Sequence, residues 1–568
     1  MAKRLAAALL GLLVCRFVWA DGPQVSHGKG GAVAAVEETA ARVGLDILEK
    51  GGNATDAAVA VAFALAVTWP EAGNIGGGGF WLSRDAGGRA LFVDFREVAP
   101  RAARRDLFLR PGPDGKPPSS TEGPLASGVP GSVAGLERAH RLSGRLPWKS
   151  LVEPAVRLAR DGFIVSETVA RSIAREKDSL SRDPETARTF LPNGAPPAAG
   201  SLWKQPQLAR TLEFIRDLGA DGFYRGHVAR QIEDSQRKAG GLITRGDLAR
   251  YEARVRPALK FRFQNADVFT TPAPSSGPVF AEMAMLTELV GLGKIPGNDP
   301  ATAHYLAEIE KRAFSDRNRY LGDPAHVHVE EALFTDPTRL RTIAAKITPD
   351  HATPTGALAA TPEKPTTTHF SVMDSSGAVV SVTTTLNDSF GNSRVAPGLG
   401  FLWNNEMDDF TTRPGERNLY GLVQGPANSV APGKRMLSSM CPSIAVVAGR
   451  NALVWGSPGG ATIPTTNLQI MLNVLLRGET LEAAVAAPRF HQQDFPDEIQ
   501  YEEGGFDASW VAALEKLGHT VAVRTEDRPP RPAHLGRVHA IARDAEGRMT
   551  AVADPRSGGV GLVVRPEP

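Results

Sequence analysis

The stretch that decides the fold is EKPTTTHFSVMDSSGAVVSVTTTLNDSFG, residues Glu363–Gly391. Polar and apolar side chains alternate on both sides of a DSSGA turn signal, and a period of two is typical of β-strands. A three-residue loop, Ser375–Gly377, with its glycine in the left-handed conformation would join the strands. This register pairs Thr367 with Thr385 and matches the apolar positions to each other. Because both faces agree, we predict a hairpin with one apolar and one hydroxyl-rich face.

The hydroxyl-rich face of this hairpin has two interpretations. It can be the solvated Thr/Ser face of a hairpin at the edge of a sheet, which is the simpler reading of this stretch alone. Alternatively, one hydroxyl does chemistry, with Thr385 opposite Thr367 and Asn387 nearby. His369 lies on the same face, and we expect a structural role for it rather than that of a general base.

Composition places the chain among soluble globular proteins. Its 568 residues favour two or more domains, and 42% apolar with 22% charged residues can form a sizeable core. The formal net charge is only +2, and no long basic run is present. Nothing in this balance indicates nucleic acid or a membrane surface as a partner.

The first twenty residues read as a secretory signal peptide. Lys3 and Arg4 precede the apolar run Leu5–Val14, and the small Ala20 ends a plausible cleavage motif. The run is short for an uncleaved anchor, since a spanning helix needs about 20 apolar residues. We therefore expect an exported protein, periplasmic or secreted, with no stable membrane anchor after signal removal.

Cysteine usage excludes several functions. Of the two cysteines, Cys15 leaves with the signal, and lipid modification there is disfavoured by the large Val14 before it. Cys441 alone remains in the mature chain, so internal disulfides, four-cysteine zinc sites and paired-cysteine redox motifs are excluded. We expect Cys441 to be a small core residue.

Other segments organise the chain around the hairpin. A glycine run, Asn74–Leu82, leads into a strand; it lacks the Lys-Ser/Thr of a phosphate loop and indicates close backbone packing. Residues 349–366, rich in Pro, Thr and Ala, predict an exposed, mobile connector. Helices are predicted at Val36–Lys50, Ala57–Val67 (starting from Thr55 or Asp56), Thr465–Leu476 and Asp507–Leu517.

Nine motifs in order carry a family resemblance. They are GGNATDAAVA, NIGGGGF, FREVAP, VPGSVAGL, TTHFSV, TLNDSFG, NNEMDDF, LSSMCPSI and GSPGG. In this order and spacing the chain resembles the γ-glutamyltranspeptidase family (γ-glutamyltransferase, glutathione hydrolase) of the N-terminal nucleophile hydrolases. The resemblance implies an α+β fold, a four-layer αββα sandwich formed jointly by two autoprocessed pieces.

The resemblance also implies self-cleavage between Thr366 and Thr367. Residues 1–20 are then the signal, 21–366 the large subunit and 367–568 the small catalytic subunit. Thr367 becomes the nucleophile, and its freed α-amine is the base that a weak hydroxyl nucleophile needs. The neighbouring threonine, Thr366, leaves an ambiguity of one residue in the cut.

Further roles follow by position from the resemblance. Thr385 matches the threonine that activates the nucleophile, which agrees with the hairpin register. Gly459 and Gly460 match the oxyanion hole, and Tyr420 matches the tyrosine of a lid, Arg413–Gly425. Six residues match the substrate clamps: Asn387, Glu406 and Asp409 for the α-ammonium, and Arg96, Ser438 and Ser439 for the α-carboxylate. Glu406 stands where other members have glutamine, and the family uses both.

The expected activity is transfer of a γ-glutamyl group from glutathione or another γ-glutamyl compound to water, an amino acid or a peptide. No cofactor and no metal is expected. One alternative is a glutaryl/cephalosporin acylase of the same superfamily; such acylases usually lack the lid, and the ammonium-binding acids favour γ-glutamyl substrates. A second is an uncleaved, inactive relative acting as a binding protein, against which the intact TTHFS and SPGG motifs argue.

Overall fold

The computed structural model describes residues 22–112, 115–355, 367–526, 531–556 and 558–566. The predicted signal peptide with Cys15, most of the connector and Thr366 on one side of the predicted cut lie outside these ranges. Within them, no helix is both long enough and apolar enough to cross a bilayer.

The described chain contains both strands and α-helices. The strands are β1 Gln24–Ala35, β2 Gly78–Arg84, β3 Ala90–Asp94, β4 Phe163–Ile164, β5 Leu202–Trp203, β6 Arg254–Arg256, β7 Leu259–Phe263, β8 Ala266–Thr270, β9 Thr367–Asp374, β10 Val379–Thr385, β11 Ser443–Val447, β12 Arg450–Trp455, β13 Phe490–His491, β14 Ile499–Tyr501, β15 Val521–Val523, β16 Thr525–Glu526, β17 Arg531–Pro532, β18 His539–Arg543, β19 Met549–Ala553 and β20 Val560–Pro566. The helices are α1 Glu38–Glu49, α2 Ala54–Thr68, α3 Ser132–Ser143, α4 Trp148–Asp161, α5 Glu167–Arg175, α6 Lys177–Ser181, α7 Pro184–Phe190, α8 Pro206–Leu218, α9 Asp221–Tyr224, α10 Gly226–Ala239, α11 Arg245–Arg250, α12 Gly277–Leu289, α13 Pro300–Tyr320, α14 Pro337–Ala344, α15 Ile463–Met471, α16 Leu481–Ala486 and α17 Ala508–Lys516.

The predicted hairpin forms with the predicted register. β9 and β10 pair antiparallel, Thr367 opposite Thr385 and Val372 opposite Val380. Gly377 has φ 84°, the left-handed conformation that its place in the loop requires. The edge interpretation is wrong, however. β1 pairs with β9 and β2 with β10, and every residue of both hairpin strands is buried.

The strands stack into two layers with helices outside. The hydrogen-bonded order is β6-β3-β2-β10-β9-β1-β19-β18-β12-β11-β8-β7, with β20 added on β1. β9 and β10 nevertheless contact β12, which lies far from them in this order, so the layers face each other. α2 covers the outside of the hairpin, and α12 packs against β7 on the opposite side. This arrangement confirms the αββα sandwich.

The apolar helix and the glycine run behave as their sequences predict. α2 is buried along its whole length and begins at Ala54, one residue before the earlier of the two expected starts, because Asn53 forms a capping box with Asp56. In the glycine run, a Cβ at Gly77 would lie 2.1 Å from the carbonyl oxygen of Thr385. The run therefore serves close backbone packing beside the end of β10.

The described part of the connector, residues 349–355, is exposed at four of its seven residues, as predicted. It is nevertheless hydrogen-bonded to the rest of the protein: the Thr353 carbonyl accepts from Lys311 Nζ at 2.6 Å, and the Thr355 amide donates to Asp497 Oδ2 at 2.7 Å. Cys441 is buried as predicted, and burial raises the pKa of its thiol to about 12. It is therefore a core residue and not a reactive thiol.

Candidate active site

Two threonine hydroxyls meet where the hairpin strands begin and end. Thr367 opens β9, and its Oγ1 lies 3.4 Å from Oγ1 of Thr385 at the end of β10. Thr385 Oγ1 also accepts a hydrogen bond of 2.8 Å from the Asn387 amide. Thr367 is only 5% exposed, so its hydroxyl faces a closed pocket and not bulk water.

The loop after β10 carries Asn387 into the same pocket. Asn387 adopts φ 79°, a left-handed conformation that asparagine tolerates better than most residues. Its side-chain amide donates to the Asn405 carbonyl at 3.1 Å, and its own carbonyl accepts from the Tyr420 hydroxyl. These bonds join the hairpin, the NNEMDDF motif and the predicted lid.

Arg96 is the cation of the pocket. Its guanidinium is fully buried and forms ion pairs with Glu406 and Asp409, the two acids expected to hold a substrate ammonium. A third carboxylate, Glu97, lies 3.6 Å from the same guanidinium. Backbone carbonyls of Met436 and Leu437 accept from Arg96 at 3.4 and 3.1 Å. Arg96 of the predicted carboxylate clamp therefore forms one ion-pair network with the acids of the predicted ammonium clamp. Matching each motif separately does not reveal this network.

Burial sets the charge of these acids. It raises the pKa of Glu97 to about 7 and that of Asp408 to about 6, against the opposing pull of Arg96 on Glu97. Burial also raises the pKa of Glu406 and Asp409. Three carboxyl groups around one guanidinium cannot all ionise cheaply, so protons are shared within the cluster.

The Ser438–Ser439 segment is fixed from behind by residues that the sequence analysis missed. The Ser438 carbonyl accepts from Ser276 Oγ at 2.7 Å, and Ser439 Oγ accepts from Arg317 Nη2 at 3.4 Å. Helical periodicity could have indicated Arg317, because it follows the buried Ala313 and Phe314 by four and three residues on α13.

The glycine pair lies at the start of α15. Gly459 and Gly460 have φ of 142° and 56°, and the turn Gly460–Thr462 leads directly into the helix. Amide groups at a helix N-terminus favour negative charge nearby. A Cβ on Gly460 would lie 2.2 Å from Tyr420 Cδ1, so the tyrosine ring covers this backbone closely.

The predicted lid, Arg413–Gly425, closes over the pocket through Tyr420. That side chain packs with Phe314, Leu422 and Ala461 and is buried. Asn418 shapes the turn before it, accepting from the Tyr420 amide at 3.0 Å and donating to Asp409 Oδ1 at 3.1 Å. The lid is therefore joined to the acid cluster as well as to the glycine pair.

One pocket collects nearly all the predicted site residues. Its lining consists of Met440, Ile463 and ten of the predicted residues: Arg96, Thr367, Thr385, Asn387, Glu406, Asp409, Tyr420, Ser438, Ser439 and Gly460. The remaining one, Gly459, precedes Gly460 in the chain.

His369 lies between the sheets, with Nδ1 2.9 Å from Thr383 Oγ1, and burial lowers its pKa well below the usual value. It is thus neutral and structural, as expected.

Comparison with known proteins gives the family. The profile of the family described as Gamma-glutamyltranspeptidase matches residues 40–564. A glutathione hydrolase proenzyme of Escherichia coli (strain K12) is 41% identical over 572 residues, covering 97% of each chain. A glutathione hydrolase proenzyme of Pseudomonas aeruginosa is 43% identical over 547 residues, covering 94% of this chain and 95% of the other.

Solved structures agree with the sandwich. The crystal structure of a cephalosporin acylase from Bacillus halodurans superposes with TM-score 0.83 at 27% identity, covering 95% of this chain and 96% of the other. A gamma-glutamyltranspeptidase from Pseudomonas nitroreducens complexed with L-DON gives TM-score 0.54 at 39% identity, covering 57% of this chain and 96% of the other. With the family profile spanning most of its length, the chain belongs to the gamma-glutamyltranspeptidase family.

Proposed function

We propose that this protein is a self-cleaving γ-glutamyltransferase and glutathione hydrolase whose nucleophile is Thr367. The observation that carries the proposal is a pair of hydroxyls 3.4 Å apart, one on Thr367 at the start of β9 and one on Thr385 at the end of β10. The pocket around them holds a buried guanidinium and buried carboxylates. A γ-glutamyl group needs these elements, because its α-carbon bears a carboxylate and an ammonium.

Self-cleavage uses the same hydroxyl. Thr367 Oγ attacks the carbonyl carbon of Thr366, the peptide nitrogen takes the proton, and the acyl group moves from nitrogen to oxygen. Water then hydrolyses this ester, which leaves residues 21–366 as the large subunit and 367–568 as the small one. Thr367 now carries a free α-amine beside its hydroxyl, and this amine is the general base in turnover.

Substrate binding rearranges the ion pairs around Arg96. The α-ammonium of the γ-glutamyl group takes a place beside Glu406 and Asp409, with Asn387 supplying an oxygen. The α-carboxylate in turn pairs with the guanidinium and accepts further hydrogen bonds from the hydroxyls of Ser438 and Ser439. The substrate thus exchanges one ion-pair network for another, so that no charge is left buried alone.

The chemical step then forms an ester on the enzyme. Thr367 Oγ attacks the γ-carbonyl carbon, the α-amine takes the hydroxyl proton, and the amides of Gly459 and Gly460 stabilise the oxyanion. The amide nitrogen of the substrate receives the proton and cysteinylglycine leaves when glutathione is the donor. Water attacking the ester yields glutamate, whereas an amino acid or peptide amine yields a new γ-glutamyl amide.

The acylase alternative has the same nucleophile and a different acyl group. A glutaryl group has the carboxylate of a γ-glutamyl group but lacks its ammonium. If the glutaryl carboxylate took Arg96 from Glu406 and Asp409, these buried acids would face an apolar carbon and gain no ammonium in exchange for the guanidinium. For this reason the γ-glutamyl assignment is favoured.

Two experiments test the proposal. On a denaturing gel, purified protein must resolve into pieces of 346 and 202 residues, the lengths of 21–366 and 367–568. Thr367→Ala must stay uncut and inactive, whereas Thr366→Ala must still process. Turnover of γ-glutamyl anilide must exceed that of glutaryl anilide at equal concentration. A single uncut band after long incubation, or preference for the glutaryl compound, would overturn the assignment.

The same proposal includes export. The described residues contain no helix able to cross a bilayer, and the signal at residues 1–20 supports a periplasmic or secreted enzyme. Fractionation of expressing cells checks this: activity must appear in the periplasm or medium, with the large piece starting at Asp21. Activity retained inside the cell on a chain that still carries residues 1–20 would contradict it.

A further inference from the structure

Arg317 is a buried arginine behind the pocket that the proposed chemistry does not use. It lies on α13, is 1% exposed, and does not line the pocket. Its Nε donates to Ser276 Oγ at 2.9 Å, and its Nη2 donates to Ser439 Oγ at 3.4 Å. Its Nη1 donates to the side-chain oxygens of Gln424 and Asn318, both at 3.2 Å.

These partners belong to both clamps of the proposed donor site. Ser276 holds the Ser438 carbonyl at 2.7 Å, so Arg317 contacts one serine of the carboxylate clamp directly and the other through Ser276. Gln424, at the end of the lid, donates to the Asp409 carbonyl at 2.9 Å. One side chain therefore connects the carboxylate clamp, the lid and the ammonium clamp.

The charge of Arg317 is balanced only at longer range. Its four hydrogen bonds go to hydroxyl or amide oxygens, which are neutral. Burial lowers its pKa to about 10, and the negative charge of Asp409 opposes this shift. A guanidinium remains protonated at neutral pH even then. Burying such a group is costly, and a purely structural linker would need no charge.

We infer that Arg317 is a positioning residue for the α-carboxylate of the γ-glutamyl donor. It orients Ser439 Oγ so that this hydroxyl donates to the carboxylate, since one lone pair of the oxygen accepts from the guanidinium and the O–H stays free to point into the pocket. It also adds a second positive charge behind the clamp, beside that of Arg96. This inference rests on the proposed function and deepens it by naming how the site selects donors that carry an α-carboxylate.

Three anilides that differ only in the α-substituents provide the test. The γ-glutamyl anilide carries both charges, the 4-aminobutanoyl anilide lacks the carboxylate, and the glutaryl anilide lacks the ammonium. In Arg317→Gln, kcat/KM for the two carboxylate-bearing anilides must fall by about 10- to 100-fold, mostly through KM, because a charged hydrogen-bond contact is lost. For the 4-aminobutanoyl anilide it must stay within about threefold, so selectivity for the carboxylate falls.

The controls separate selective from general damage. Arg524→Gln changes another buried arginine, one of whose partners is Gln500 on β14, and must leave the ranking of the anilides unchanged. Arg317→Lys keeps the charge but not the fork that reaches Ser276, Gln424 and Ser439 together, and must give an intermediate loss. If Arg317→Gln does not fold, Arg317→Lys provides the test: its loss of kcat/KM must be larger for the two carboxylate-bearing anilides than for the 4-aminobutanoyl anilide.

Each outcome has one meaning. An equal loss for all three anilides, or no loss, overturns the inference about Arg317 and leaves the proposed function intact. Wild-type protein that neither cleaves itself nor turns over γ-glutamyl anilide instead overturns the proposed function.

Discussion

Removing the Thr385 hydroxyl is the sharpest perturbation of the hydroxyl pair. Thr385→Val keeps the shape of the side chain but deletes the oxygen that lies 3.4 Å from Thr367 Oγ1 and accepts from the Asn387 amide at 2.8 Å. The orphaned, buried amide costs about 1–3 kcal/mol of stability. The nucleophile Thr367 also loses its hydrogen bond to Thr385. A loss of the same ~1–3 kcal/mol in the transition state slows the reaction about 5- to 150-fold.

The assay follows self-cleavage on gels and anilide turnover per cleaved molecule. Thr385→Ser keeps the hydroxyl and must remain within about threefold of wild type. Thr384→Val is the matched control, since Thr384 donates to the Gly78 carbonyl at 2.8 Å on the other face of the strand. It must lose stability without the rate loss. Equal rates for Thr385→Val and Thr384→Val would refute the reasoning.

Three further substitutions test the surroundings of the site. Gly456→Ala must destabilise the fold by about 1–3 kcal/mol in denaturant titrations, because its Cβ would lie 2.4 Å from the buried His369 ring. Burial raises the pKa of Glu97 from 4.5 to about 7, so as the pH rises the unfolded chain loses the Glu97 proton at a lower pH than the folded protein does. Relative to Glu97→Gln, wild type must therefore lose thermal stability as pH rises from about 4.5 to 7, with no relative change outside this window. Tyr420→Phe loses the hydroxyl bond to Asn387 and must raise KM for the γ-glutamyl anilide about 2- to 10-fold at unchanged kcat.

Each of these has a contradicting result. Gly87→Ala is the control for the glycine, because the nearest atom to its added Cβ is a side-chain oxygen at 3.3 Å, and equal effects at both glycines would contradict the packing argument. A stability difference for Glu97→Gln that stays constant from pH 4 to 8 would mean that Glu97 does not titrate there. A fall in kcat with unchanged KM would show that Tyr420 acts in the chemical step and not in lid closure.

The hairpin shows how far sequence reasoning reaches. Its register followed from alternation and loop length alone, because a slip of one residue would turn every apolar side chain to the wrong face. Its central place was not predictable from the segment. Hydroxyls on a strand look solvated, but here they are satisfied inside the sandwich: Ser371 and Ser381 donate to the carbonyls of His539 and Trp455 at 2.9 and 3.1 Å.

The candidate site also has a part that the sequence could predict and a part that it could not. Nine of the predicted residues that line the pocket could be found because they lie in motifs with recognisable order along the chain, and Tyr420 because it lies in the predicted lid. The pairing of Arg96 with Glu406 joins positions 310 residues apart and depends on how the layers pack. Helical periodicity could place Arg317 on the buried face of α13, but its role depends on its partners, which only the structure shows.

The central claim is that Thr367 becomes both the first residue of the small piece and the carrier of the γ-glutamyl group. Peptide mapping of processed enzyme, quenched with acid during turnover of a γ-glutamyl anilide, measures both at once. The account predicts a small piece that starts at Thr367, with the γ-glutamyl group ester-linked to that residue. A small piece that starts at Thr366 or Thr368, or a γ-glutamyl group on Thr385 or any other side chain, would contradict it.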